Sequence, residues 1–110
     1  MNHERFKDCI EACCTCAVLC FQCASACLAE KESFQRCIKL SNECAAVCFL
    51  AVKMMASGSE FASMICDTCA DLCEACAEEC ERHHHEHCIA CAEICHRCAE
   101  ECRAMAMVGV

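Results

Sequence analysis

Residues 9–27 read Cys9-Ile10-Glu11-Ala12-Cys13-Cys14-Thr15-Cys16-Ala17-Val18-Leu19-Cys20-Phe21-Gln22-Cys23-Ala24-Ser25-Ala26-Cys27, and the cysteine spacing of that stretch decides the fold. Cys9, Cys13, Cys16, Cys20, Cys23 and Cys27 are separated by steps of 4, 3, 4, 3 and 4. Such an alternation keeps side chains on one stripe of an α-helix, the a and d positions of a heptad. The rhythm returns in Cys66, Cys69, Cys73, Cys76 and Cys80, and again in Cys88, Cys91, Cys95, Cys98 and Cys102. Between them Cys37, Cys44 and Cys48 are sparser, with Ser41, Ala51 and Met55 filling the open steps. Nineteen of the twenty cysteines therefore share one inward phase, and Cys14 stands outside it.

Composition agrees with helices. The 110 residues include no Pro and only two Gly, so long helices run without interruption. A small disulfide scaffold would carry loops and turn residues, because its bridges replace a core. Without the cysteines the apolar share falls to about 40%, ordinary usage, so sulfur stands where a normal domain keeps its core. A net charge of −8 argues against nucleic acid, whose binding needs clustered Lys and Arg, and mildly favours cations. The charged start, Met1-Asn2-His3-Glu4-Arg5, is unlike a signal peptide, and no long uncharged apolar run or membrane span is read after it. The expected compartment is the reducing cytoplasm, where dense cysteine means metal or redox chemistry.

Three breaks divide the chain. The cysteine pattern stops around residues 29–32, with Ser33 a candidate N-cap. Ser57-Gly58-Ser59 supplies a glycine just past a helix end and a Ser59 N-cap. The polar cluster Arg82-His83-His84-His85-Glu86-His87 is the third. Helices are expected over roughly 3–29, 33–57, 59–82 and 86–107 of a single domain, 1–110. Short connections make neighbours antiparallel, so the expected fold is all-α, an up-down-up-down four-helix bundle with a cysteine-lined core.

A sulfur-lined bundle suits a soft ion. Cysteines four apart on a helix have neighbouring Cβ atoms, and rotamers bring the sulfurs to about 4.5 Å, two metal–sulfur bonds end to end. Eight Cys-x-x-x-Cys pairs recur: Cys9/Cys13, Cys16/Cys20, Cys23/Cys27, Cys44/Cys48, Cys69/Cys73, Cys76/Cys80, Cys91/Cys95 and Cys98/Cys102. Near-linear coordination by thiolates selects Cu(I). If each Cu(I) replaces one thiol proton and each sulfur bridges two ions, the core stays neutral, whereas Zn²⁺ on four thiolates buries two negative charges per site.

These ladders on all four expected helices, with the His83-x-His85-x-His87-Cys88 turn, resemble the bacterial copper storage proteins, in particular their cytosolic branch. The resemblance covers essentially the whole chain. It implies a homotetramer of four-helix bundles that holds many Cu(I) ions on the nineteen in-phase cysteines, as a store without catalytic turnover. Copper would arrive from a chaperone or thiol donor. His83, His85 and His87 form either a polar mouth for incoming Cu(I) or a solvated turn. Met54, Met55 and Met105, near the other end, form a hydrophobic plug in preference to a thioether gate. His3, His84 and His96 read as surface residues, as do Glu78, Glu79, Glu100 and Glu101. Val18, Leu19, Phe21, Phe49 and Leu50 exceed what the inside needs and suggest self-association. The alternatives are a metallothionein-like zinc or cadmium buffer and a thiol–disulfide oxidoreductase. The latter lacks its βαβ context and a privileged Cys-x-x-Cys pair.

Overall fold

The computed structural model describes residues 6–30 and 34–108. Four helices follow one another: α1 (Lys7–Leu28), α2 (Gln35–Ala56), α3 (Ala62–Cys80) and α4 (Glu86–Val108). Each packs on its neighbours around a square, α1 on α2, α2 on α3, α3 on α4 and α4 on α1, with no comparable packing along the diagonals among the described residues. The Cα framework measures 47 × 18 × 17 Å, the shape of one antiparallel bundle.

The heptad stripes face inward as their phase requires. All nineteen in-phase cysteines are buried, together with Ser41, Ala51 and Met55 at the steps where α2 lacks cysteine. Alanines complete the core: Ala12, Ala17, Ala45, Ala62, Ala70 and Ala77 lie at 0% exposure, so the small residues let the helices approach closely around the sulfurs. Phe6 closes one end alongside Met55 and the partly buried Met105, and Phe34 closes the other. Met55 thus packs as part of a plug.

The connections refine the expected boundaries. Gly58 has φ 68°, the left-handed conformation that glycine reaches without a Cβ clash. Its N–H donates to the Met55 carbonyl at 3.2 Å and that of Ser59 to the Met54 carbonyl at 2.9 Å, the paired bonds of a Schellman terminus. Gly58→Ala is expected to cost about 1 kcal/mol by urea unfolding of the metal-free protein, since alanine opposes this conformation. Ser59 does not open α3, which starts three residues later at Ala62. Its Oγ instead accepts from the Phe61 N–H at 3.1 Å. Helix α2 begins at Gln35 behind Phe34, whose side chain supplies no cap, while the Ser33 cap and the start of α1 before residue 6 lie outside the described residues.

One expectation needs correcting. Residues 12–29 carry no charge, and α1 is long and apolar enough to cross a membrane by length and composition. Its apolar score comes from cysteine and alanine, whose stripe is enclosed by the other three helices. Burial of that stripe accounts for part of the hydropathy, while Val18, Phe21 and Leu28 on the same helix are exposed.

Candidate metal centre

The four stripes converge on a column of sulfur. Within helices, five of the eight Cys-x-x-x-Cys pairs touch: Cys16/Cys20 at 3.8 Å, and Cys23/Cys27, Cys69/Cys73, Cys91/Cys95 and Cys98/Cys102 at 3.9 Å. Between neighbouring helices, Cys9 meets Cys102 at 3.7 Å, Cys44 meets Cys73 at 3.5 Å, Cys37 meets Cys80 at 3.7 Å and Cys20 meets Cys91 at 3.6 Å. Even the diagonals are bridged, by Cys16–Cys73 and Cys48–Cys98, both at 4.0 Å. All twenty thiols are free of disulfide bonds.

The cross-helix contacts go beyond what spacing along one helix reveals. Quartets such as Cys16, Cys20, Cys44 and Cys95, or Cys13, Cys69, Cys98 and Cys102, bring four buried sulfurs within 4.8 Å of one another. A tetrahedral site with bonds of about 2.3 Å has sulfurs about 3.8 Å apart. Four sulfurs therefore do converge, and geometry by itself admits zinc as well as copper. Charge still separates them, because four thiolates around Zn²⁺ leave two uncompensated charges in a core that, among the described residues, holds no buried Lys or Arg. The intrahelical contacts of 3.8–3.9 Å are those of S–H···S pairs. A two-coordinate ion replacing the shared proton would spread each pair by less than about 1 Å, within reach of a rotamer adjustment.

Burial opposes ionisation of these thiols, while hydrogen bonds from neighbouring thiols pull some of them down, Cys9 and Cys44 among them. The Cys27 and Cys88 thiols, at the histidine end, are pushed above the ordinary range, first by burial and then by the neighbouring Cys23 and Cys37. Cys14 is only partly buried and faces a groove of about 350 Å³ with Thr15, Val18, Leu19 and Gln22, away from the column.

At the end shared by the α1–α2 and α3–α4 connections, the histidines have distinct surroundings. His87 Nε2 lies 3.5 Å from Cys27 Sγ and its ring stacks on His85 at 5.5 Å. His85 Nδ1 is 3.5 Å from the Glu30 carboxylate, and Phe34 packs against both His83 and His85. His83 Nε2 sits 3.0 Å from Glu79 Oε2, tying it to an ion-pair cluster. His84 and His96 are exposed, and His3 lies outside the described residues.

Glu79 is the buried residue at the histidine end that sequence reading missed. Placed on the solvated face by its pattern, it is only 7% exposed, with its Oε1 2.9 Å from Arg36 and 3.9 Å from Arg82. Burial pushes its carboxyl up, but the His83 hydrogen bond and the Arg36 guanidinium outweigh that and hold it below the usual range. The Glu79-x-x-x-His83 spacing, one helical turn, was the available signal. Glu78 and Glu100 are exposed as expected, and Glu101 is partly so.

A helical bundle whose core is lined by nineteen reduced thiols defines a class of protein that sequesters thiophilic metal ions. Residues 2–107 match the family model described as Csp, copper storage protein, and the chain belongs to that family. The uncharacterized cysteine-rich protein YhjQ of Bacillus subtilis strain 168 is 51% identical over 88 residues, covering 77% of this chain and 82% of that one. Among solved structures, Cu(I)-bound BsCsp3 is 50% identical with a TM-score of 0.88, covering 92% of this chain and 97% of that one. A cytosolic copper storage protein from Streptomyces lividans, studied during copper loading, is 34% identical with a TM-score of 0.89, covering 99% and 97%.

Proposed function

We propose that this chain is a cytoplasmic store for many Cu(I) ions, held in the core of a single bundle over residues 1–110 by the nineteen in-phase cysteines, with no catalytic turnover. The observation that carries the reading is the sulfur column itself: nineteen buried, reduced thiols, most of them joined by contacts of 3.5–4.0 Å along and between all four helices. A structural role does not account for so much sulfur, because Leu and Ile bury more apolar area at the same positions.

Copper enters at the histidine end in this reading. His87 beside Cys27, backed by His85, supports a docking point that passes an ion from imidazole to thiolate. His83 contributes through Glu79 to the shape of that end. Copper delivery by a chaperone or thiol donor fits a buried column that the free ion reaches only by ligand exchange. The exposed strip of Val18, Phe21, Phe49 and Leu50, with Phe21 and Phe49 5.7 Å apart, supports assembly of bundles into a homotetramer.

The test against a zinc buffer is competition. Reduced protein first filled with Zn²⁺ and then offered Cu(I) under anaerobic conditions is expected to release all its zinc, followed by mass spectrometry under native conditions. Zinc that survives an excess of Cu(I) would favour the metallothionein-like reading.

A further inference from the structure

The inward stripes of α2 and α3 continue past their last cysteines at the histidine end. Phe34 stands three residues before Cys37 and His83 three residues after Cys80, so each occupies the next inward step beyond the thiols. The two thiols behind them, Cys37 and Cys80, meet at 3.7 Å. Phe34 is 4% exposed and packs on the His83 ring at 4.2 Å, which closes this half of the end. That ring is held in turn. His83 Nε2 lies 3.0 Å from Glu79 Oε2, while Glu79 Oε1 accepts from Arg36, on the first turn of α2, at 2.9 Å. One carboxylate thus joins α2, α3 and the α3–α4 turn around Phe34. The other half of the end is looser, since the side chains of His85 and Glu30 there are 35% and 29% exposed. Burying a carboxylate is costly, and a leucine in place of Glu79 would bury apolar area without that cost. Packing alone does not call for Glu79, so its role lies in what it holds.

We propose that Glu79 is a positioning residue for copper transfer, a latch that through His83 and Arg36 keeps Phe34 closed over the Cys37–Cys80 half of the end. The proposal rests on copper entry at the histidine end, as read above. With Phe34 in place, an ion reaches the thiols along the other half, past His85 and His87 to Cys27, whose Sγ lies 3.5 Å from His87 Nε2. His83 serves the latch, because its Nε2 is engaged by Glu79. Releasing the latch opens a second way in, directly onto Cys37 and Cys80. Such a latch adds no ligand to bound copper. It therefore changes the speed of filling and of emptying by one factor and leaves affinity and capacity as they were.

The experiment follows anaerobic loading of the reduced protein from Cu(I)–glutathione, and emptying of the loaded protein into an excess of chromogenic Cu(I) chelator. Glu79→Ala is expected to raise both rates by about tenfold or more, by the same factor, with copper capacity unchanged. Phe34→Ala should do the same. The double variant should be no faster than Phe34→Ala alone, because the latch acts only through that ring. Wild-type rates in a helical Glu79→Ala protein, an altered equilibrium affinity in place of a rate change, or rate effects that multiply in the double variant would each overturn the latch. Circular dichroism of the metal-free variants reads the fold. Should Glu79→Ala lose helix, Glu79→Gln decides: it keeps the size and weakens the charged hydrogen bonds, with about threefold faster exchange expected and wild-type rates overturning the proposal. The underlying reading is tested separately. A small copper total refutes storage, and wild-type loading in His87→Ala refutes entry at the histidine end, whereas slowed loading in His87→Ala beside wild-type rates in Glu79→Ala refutes the latch alone.

Discussion

Loading the reduced protein with Cu(I) is expected to raise its unfolding midpoint by about 20 °C or more. One site at a free ligand concentration of 100 Kd adds about 2.7 kcal/mol, and in a domain of this size each kcal/mol moves the midpoint by about 4–8 °C. Two well-occupied sites therefore suffice, and the column has room for many more. The effect is large here because the metal joins helices to one another. Cys9 and Cys102 tie α1 to α4, Cys44 and Cys73 tie α2 to α3, and Cys16 and Cys73 bridge a diagonal. The metal-free core, built of Cys and Ala with few larger side chains, has correspondingly less to hold it. Circular dichroism melts with and without copper measure the shift, and the metal-free protein should already be helical because its heptads do not depend on metal. Equal midpoints would mean that copper binds outside the core.

The second large effect is on pH. A column of protonated thiols that exchanges one proton per ion releases about one H⁺ for each Cu(I), and its affinity falls about tenfold for each unit of acidification. Burial extends that dependence upward. With Cys27 and Cys88 pushed above the ordinary thiol range, affinity should keep rising well beyond about pH 8.5, where free thiols are half ionised. Linkage gives the metal-free fold the opposite trend. A thiol whose folded pKa is raised contributes stability that is complete below its unfolded pKa of about 8.5 and is lost as pH rises through the folded value. Cys27 and Cys88 should therefore make the metal-free protein easier to unfold at pH 10 than at pH 7. A weakly buffered titration with a pH indicator counts the protons, and paired urea curves read the stability. Copper uptake without proton release would mean that the thiols are ionised beforehand.

Much of this was legible in the cysteine spacing. A 4/3 alternation that persists over five or six residues leaves only one helical face on which they can lie, so the burial of Cys9 through Cys102 follows from the heptad. The same rhythm identifies Ser41, Ala51 and Met55 as core positions despite their different chemistry. Spacing on one helix says nothing of its partners, which is why the four-sulfur quartets were not visible. Glu79 shows a similar blind spot. Next to Cys80 and in a run of acidic residues it reads as solvated, but Arg36 on α2 and His83 one turn on enclose it. Helix ends were least legible, as at Ser59, where the hydroxyl caps a turn ahead of α3.

The most direct measurement is the number of Cu(I) ions that the fully reduced protein binds anaerobically against a competing chelator. Bridged two-coordinate thiolates predict about one ion per core cysteine, approaching the nineteen in-phase residues. Saturation at about four or five, the limit for separate four-thiolate sites, would contradict the account.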